Sequence, residues 1–263
     1  MKLPLKFFIA GAALCAAVLS SRPLLLSFEA SLHAVKAAGD TERILTDKTS
    51  RYVLSSSDAG FALPGTAFQR ITGEKPAGKG KRVSVTSGDV NGEDIAPTGA
   101  DLQDTRFLNL ESAEVLRVSR GFARLPRKID AVERFVYRHI QTKTAGIPLL
   151  PAVEILRGRA GDCTEHTVLT VALLRSLGIH SRAMVGIVFA PEFEGLKNVF
   201  VFHMWAQAHE GGRWLLVDST CPGEKRPNRY IAFSTHSLKT EAPLAYLRAI
   251  AAIKDLEIKY LPR

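Results

Sequence analysis

One stretch constrains the fold more than any other: Gly161 to Leu177, GDCTEHTVLTVALLRSL. Its apolar residues Val168, Leu169, Val171, Ala172, Leu173, Leu174 and Leu177 cover most of a helical circumference, which describes a helix buried on nearly all sides. Asp162 is a favourable N-cap and Glu165 stands at the capping-box spacing, so Cys163 is predicted at the first helical position. There a sulfur meets unpaired backbone N–H groups and the positive end of the helix dipole, a setting that favours a nucleophilic sulfur. Gly178 is the expected stop. The plain alternative is a small buried hydrophobe, which is what most free cysteines are.

At 263 residues and 46% hydrophobic, the chain can bury one sizeable core. Lys2 and Lys6 precede an apolar run, Phe7 to Leu19, in the order of a secretory signal, and Leu24 to Leu26 extend it beyond Arg22 and Pro23. Residues 1–26 are therefore expected to be a signal peptide or an N-terminal membrane anchor, with the rest exported to the periplasm or the cell exterior. The net charge of +9 is spread along the chain, apart from short concentrations such as Lys75 to Arg82, and no aromatic-interleaved basic motif accompanies it. Nucleic acid is accordingly not an expected partner. Attraction to an anionic membrane or envelope polymer is the better use of that charge.

Residues 27–107 carry weak signals and are expected to be irregular, with two or three short strands and an exposed loop from Ser87 to Asp104. From residue 108 the pattern sharpens. Helical spacing runs over Leu110 to Phe122 and Lys128 to Gln141, with a short helix over Ala152 to Leu156. Strands are predicted over Arg182 to Phe189, Val199 to His209 and Trp214 to Asp218, with a loop over Pro191 to Lys197 and a Gly211-Gly212 turn. An amphipathic helix over Glu241 to Lys254 and a last strand over Leu256 to Leu261 complete the reading.

Strand parity puts His203, Trp205 and Gln207 on one face of their strand, and Trp214, Leu216 and Asp218 on one face of the next. A hairpin turning at Glu210-Gly211 sets His203 directly opposite Asp218. A register shifted by two makes them diagonal neighbours on the same face. A thiol at a helix N-terminus, an imidazole and an orienting carboxylate are the parts of a nucleophilic acyl-transfer site, so Cys163, His203 and Asp218 are the candidate catalytic residues. A zinc reading would use Cys163, His166, His203 and Cys221. It lacks paired ligand spacing and leaves Asp218 without a role, so no metal or other cofactor is expected.

GRAGDCTEH, LLRSLGIHSRAMVG, FHMW and WLLVDST, in that order between Lys128 and Pro222, resemble the transglutaminase-like superfamily shared by transglutaminases, bacterial cysteine proteases and peptide N-glycanase relatives. The resemblance implies an α+β, papain-like core over residues 108–263, its nucleophile helix packed on an antiparallel sheet, with Cys163, His203 and Asp218 as the triad. It also implies that Arg175, Gly178, Ile179 and Arg182 form the turn from helix to sheet, and that Trp205 and Trp214 pack the hairpin. One place departs from the pattern: Gln141-Thr142 stands where the family often has an aromatic residue, leaving the Cys163 N–H as first oxyanion donor and Gln141 as a candidate second. The implied activity is attack on a peptide or amide carbonyl through a thioester. Hydrolysis is the first expectation, protein cross-linking the second, and a non-catalytic envelope scaffold the alternative of another class.

Overall fold

The computed structural model describes residues 34–90, 92, 95–144, 149–223, 225–239 and 255–262. The expected N-terminal signal or anchor and the expected helix over Glu241 to Lys254 lie outside the described residues.

Four strands open the described chain: β1 (Ala34–Ala38), β2 (Thr49–Ser56), β3 (Gln69–Ala77) and β4 (Gly80–Gly88). Four helices follow: α1 (Ala113–Arg120), α2 (Lys128–His139), α3 (Ala152–Gly158) and α4 (Cys163–Ser176). The chain then forms β5 (Ser181–Phe193), β6 (Leu196–Glu210), β7 (Arg213–Val217), β8 (Tyr230–His236) and β9 (Glu257–Leu261). All nine strands join one sheet in the order β3-β4-β2-β9-β1-β6-β5-β8, with β7 added to β6. Every pairing is antiparallel except β1 with β9.

α4 is surrounded, as its sequence requires: every residue from Thr164 to Arg175 is buried. The sheet supplies one wall through Ala183, Val185, Met204, Ala206, Ala208 and Val217, and the other helices supply the rest through Val115, Ile129, Val132, Val136, Ala152 and Ile155. Alanine at 183, 206 and 208 lets the helix approach the sheet closely. The turn after α4 is held by Arg175, whose guanidinium donates to the Ser181 carbonyl at 3.0 and 2.7 Å and to the Gln103 carbonyl at 2.8 Å. Arg182 donates to Gln207 Oε1 and stacks on Trp214 with its guanidinium carbon 3.9 Å from the ring centroid. This α+β arrangement, helices on one face of a sheet that is antiparallel but for one pair, is the expected fold class.

Two expectations are corrected. Pro191 to Lys197 is not a loop, because β5 and β6 run on to meet at Phe193 and Leu196. The turn is Glu194-Gly195, with φ of +48° and +81°, the left-handed pair that a two-residue hairpin needs. The described part of the region from 27 to 107 is not irregular either. β2 and β4 pair over their full length, and Tyr52, Leu54, Val83, Val85, Ile258 and Tyr260 form a second core cluster with Phe189 and Phe200 from the extended ends of β5 and β6. The alternation was muted because the buried positions include Ser50, Ser56 and Ser87, whose polarity reads as surface in a sequence. Buried Ser87 donates its hydroxyl hydrogen to backbone oxygen, with the Tyr230 carbonyl at 2.6 Å.

β8 lies unusually close to β5 at Gly186, where the β5–β8 register shifts. A Cβ there would sit 2.1 Å from the Ile231 carbonyl oxygen and 3.0 Å from Ala232 Cα. Gly186→Ala is therefore expected to push β8 away and destabilise the fold by about 1–3 kcal/mol. Urea unfolding measures this, and an unchanged midpoint contradicts the close approach.

Candidate functional site

The site is built first by the start of α4. Asp162 Oδ1 accepts the Thr164 N–H at 3.0 Å, and Glu165 Oε2 accepts the Asp162 N–H at 3.0 Å, completing the expected capping box. Gly161 makes the return of Glu165 possible: a Cβ at Gly161 would lie 2.3 Å from Glu165 Cβ. The chain entering this turn is fixed by Gln141 and Thr142, since the Gln141 N–H donates to the Arg159 carbonyl and the Gly161 N–H to the Thr142 carbonyl, each at 2.9 Å. Gln141 thus lies beside the turn leading to Cys163, and its side chain is exposed. Cys163 is the first residue of α4 and is half-buried.

The second component comes from the way β6 shares its edges. β5 occupies one edge continuously from Leu196 to Ala208, apart from a break around Asn198. The other edge is divided: β1 pairs with residues 199–201 and β7 with residues 206–210. Among the described residues no strand pairs with 202–205 on that side, and His203 stands in the gap. Met204, Ala206 and Ala208 face the body of α4, whereas Trp205 and Leu216 join Met184, Tyr230 and Ala232 on the other face. The predicted parity therefore holds. The imidazole belongs to the face opposite the helix body, and the sulfur reaches it only because α4 begins at the open edge. The Cys163 side chain is close enough to the His203 ring to be one of the groups that raise its pKa.

The β6–β7 hairpin turns at Gly211-Gly212, with φ of +61° and +79°, and pairs Glu210 with Arg213. The register is two residues from the one that would oppose His203 and Asp218 directly, so the two are diagonal neighbours. Asp218 is also just past the end of β7 and not within it. The side chains still meet: His203 Nε2 is 2.7 Å from Asp218 Oδ2. With the Nε2 proton donated to the carboxylate, Nδ1 remains for the sulfur.

Asp218 is held from all sides. Oδ2 also accepts the Tyr230 hydroxyl at 2.8 Å, and Oδ1 accepts the Thr220 N–H at 3.0 Å and the Thr220 hydroxyl at 2.6 Å. Its backbone N–H donates to Glu133 Oε1 at 2.7 Å, and both oxygens of Glu133 meet the Lys225 ammonium. Trp205 stacks on the His203 ring at a centroid distance of 6.0 Å, and Tyr230 packs edge-on against Trp205 at 5.1 Å. Tyr230, Thr220, Glu133 and Lys225 were not among the sequence candidates. Glu133 had a usable signal, because it lies on the Ile129, Val132, Val136 stripe of α2, where a charged residue has no business unless it is paired.

Burial works against a charged imidazole at His203, yet the Asp218 charge and hydrogen bond and the Cys163 side chain outweigh it and carry the pKa up to about 10. Burial also opposes the Asp218 carboxylate, and the His203 charge with the hydrogen bonds from His203, Thr220 and Tyr230 outweighs it, holding Asp218 well below the usual carboxylate range. His166 goes the other way: burial pushes it down to about 4, and its Nδ1 is 3.2 Å from the Ser219 hydroxyl. Burial carries the Cys221 thiol up to about 12, and its sulfur lies 3.5 Å from the Tyr230 hydroxyl. Cys163 and Cys221 are both free thiols, and among the described residues no group of three or more His, Cys, Asp or Glu side chains is arranged around a metal position.

Residues 117–219 match the family model of the transglutaminase-like superfamily, a span that runs from α1 through Cys163 and His203 to Ser219. Similar solved structures include a protein from Cytophaga hutchinsonii provisionally named a cysteine protease, 15% identical, covering 86% of this chain and 82% of that one with a TM-score of 0.46. The periplasmic domain of TgpA from Pseudomonas aeruginosa is 12% identical over 72% of this chain and 93% of that one, with a TM-score of 0.41. Red sea bream transglutaminase is 11% identical over 68% of this chain and 47% of its own, with a TM-score of 0.36. No curated protein matches the chain.

The buried pair makes stability depend on pH with a definite sign. His203 rises from an ordinary 6.5 to about 10, so its contribution is complete below pH 6.5 and is lost as pH climbs through about 10. Asp218 is depressed, so its contribution is complete above its ordinary value of 3.8 and is lost as pH falls below that value. Urea unfolding is expected to show stability declining between pH 6.5 and 10, and Asp218→Asn is expected to flatten that alkaline decline. An equal decline in both proteins removes the pair as its source.

Proposed function

We propose that this transglutaminase-like core is a thiol enzyme that cleaves amide bonds, with Cys163, His203 and Asp218 as its catalytic triad. The observation that carries the reading is the His203 ring bonded to the doubly anchored Asp218 carboxylate, with the Cys163 side chain near enough to act on the same ring. In the reaction the Cys163 proton is carried on His203 Nδ1, the Cys163 sulfur adds to a carbonyl carbon, and the oxyanion that forms is met by the Cys163 backbone N–H, with Gln141 as the candidate second donor. The His203 imidazolium gives its Nδ1 proton to the leaving nitrogen, the C–N bond breaks, and a thioester remains. His203 then takes a proton from water as that water attacks the thioester, the C–S bond breaks, and the acid leaves.

Asp218 does not lose its charge in this cycle. Its task is to keep Nε2 protonated, so that Nδ1 faces the sulfur, and to stabilise the imidazolium. The raised His203 pKa suits the first step, since the ring then enters it already carrying the proton that the leaving amine needs. Water is proposed as the acceptor because it is always present, whereas transfer to lysine requires a second groove that positions an amine. The substrate class is a protein or peptide amide. Export, with the N-terminal apolar run as signal or anchor, belongs to the same proposal.

Cys163→Ala is expected to abolish turnover of a peptide amide library with no change in circular dichroism, and Asp218→Asn to lower kcat by roughly 10^3–10^4-fold. Iodoacetamide is expected to label Cys163 well ahead of Cys221, and His203→Ala to slow that labelling. Turnover that survives in Cys163→Ala ends the thiol proposal. Adding a dansylated primary amine distinguishes the acceptors, because fluorescent protein products in place of free acid assign transamidation.

A further inference from the structure

Asp218 lies beyond the last ladder pair of β7, Ala206 with Val217, so no sheet partner takes its backbone N–H. The acceptor that takes it comes from a helix 85 residues away in sequence: Glu133 Oε1, at 2.7 Å. Glu133 is 3% exposed, and a lone carboxylate there would be costly both through burial and through repulsion by Asp218. The Lys225 ammonium, bonded to both its oxygens, offsets that cost and fastens the segment after Asp218 to α2.

We propose that Glu133, with its charge balanced by Lys225, is a positioning residue for the triad: it sets the Asp218 backbone from α2 and thereby aims the carboxylate at His203 Nε2. The inference rests on the functional reading above for its effect on turnover, but the geometry it concerns is independent of that reading. The Asp218 side chain has four donors to satisfy, from His203, Tyr230 and the Thr220 N–H and hydroxyl. All four come from segments that follow or oppose it, and none takes the N–H of the peptide that enters it. Glu133 takes the N–H of that peptide, on the N-terminal side. A small rotation there would turn Oδ2 away from Nε2, and displacements of that order are enough to lower a rate substantially.

Two double variants of the full chain separate the acceptor from the charge. Glu133→Gln with Lys225→Met keeps an oxygen for the Asp218 N–H and removes both charges. Glu133→Met with Lys225→Met is equally neutral and of similar volume, a replacement that buried ion pairs commonly tolerate, but it offers no acceptor. The readouts are kcat and KM on an amide substrate, the rate of Cys163 alkylation, and the titration of His203 followed by NMR in histidine-labelled protein. The groups facing His203 are Asp218, the Cys163 thiol, Tyr230 and neutral His166; those facing Glu133 are Lys225 and Asp218. None but the replaced pair changes between the variants.

The Gln/Met protein is expected to keep kcat within about threefold of wild type and to titrate His203 as wild type does. The Met/Met protein is expected to lose about 10–100-fold in kcat with KM little changed, and to titrate His203 about one pH unit or more lower. Indistinguishable behaviour of the two variants overturns the proposal. So does a folded Gln/Met protein that loses both rate and the elevated titration, a comparison that stands even where Met/Met does not fold. If wild-type turnover persists in Cys163→Ala, the enzyme reading fails separately, and the His203 titration still decides the role of Glu133.

Discussion

An imidazolium and a carboxylate buried together are expensive to keep, and the arrangement of this molecule follows from how that cost is met. His203 and Asp218 are 8% and 2% exposed, so neither can rely on water. The attraction across 2.7 Å repays their desolvation only if every remaining lone pair and proton is also satisfied. Tyr230, Thr220 and the Glu133–Lys225 pair do this for Asp218, and each comes from a different part of the chain: β8, the turn after β7, α2, and the segment beyond Pro222. The site is therefore a point where helical layer and sheet have to agree, not a feature of one local motif.

The divided edge of β6 solves a second problem. A helix packed flat on a sheet cannot place its first residue against a side chain on the far face, because the strands themselves stand between. Leaving 202–205 without a neighbour opens that edge, and α4 starts beside the opening. Short β7 is essential to this: with five residues it ends before reaching His203, and Asp218 follows as the chain departs. Had β7 continued as a regular strand, it would have closed the gap on that edge of β6.

The features readable in the sequence were those set by local chemistry. The capping box at Asp162 and Glu165, burial all around α4, strand parity at His203, and a glycine turn at 211–212 each depend on a few neighbouring residues, and each is present. What escaped depended on distant partners. Which face of β6 the imidazole joins is decided by strand order. The true register needed the turn to be placed one residue later, and two consecutive glycines permit either placement. Tyr230 drew no reading, since its hydroxyl gains meaning only from a carboxylate just past the end of another strand. Glu133 broke the apolar stripe of α2 in plain sight, but the break could be interpreted only with Asp218 and Lys225 beside it.

The N-terminal strands change how the core should be understood. A shield over the cleft or a removable pro-segment would be joined to the rest through a few surface contacts. Instead β1 pairs directly with β6, the strand that bears His203, and β4 and β3 reach β8 on the other side of the second core cluster. Ser87 donates to the carbonyl of Tyr230, while Gln69 accepts the Ala232 N–H at 2.8 Å and donates to the Ala232 carbonyl at 2.9 Å. These are the backbone groups of β8 that face away from β5, and without the N-terminal strands they would be left exposed or unpaired. The strand that presents the Tyr230 hydroxyl to Asp218 is thus held in place by residues outside the matched 117–219 segment. The matched segment carries the triad candidates, but the position of one of their direct partners is determined by the part of the chain whose sequence showed the least.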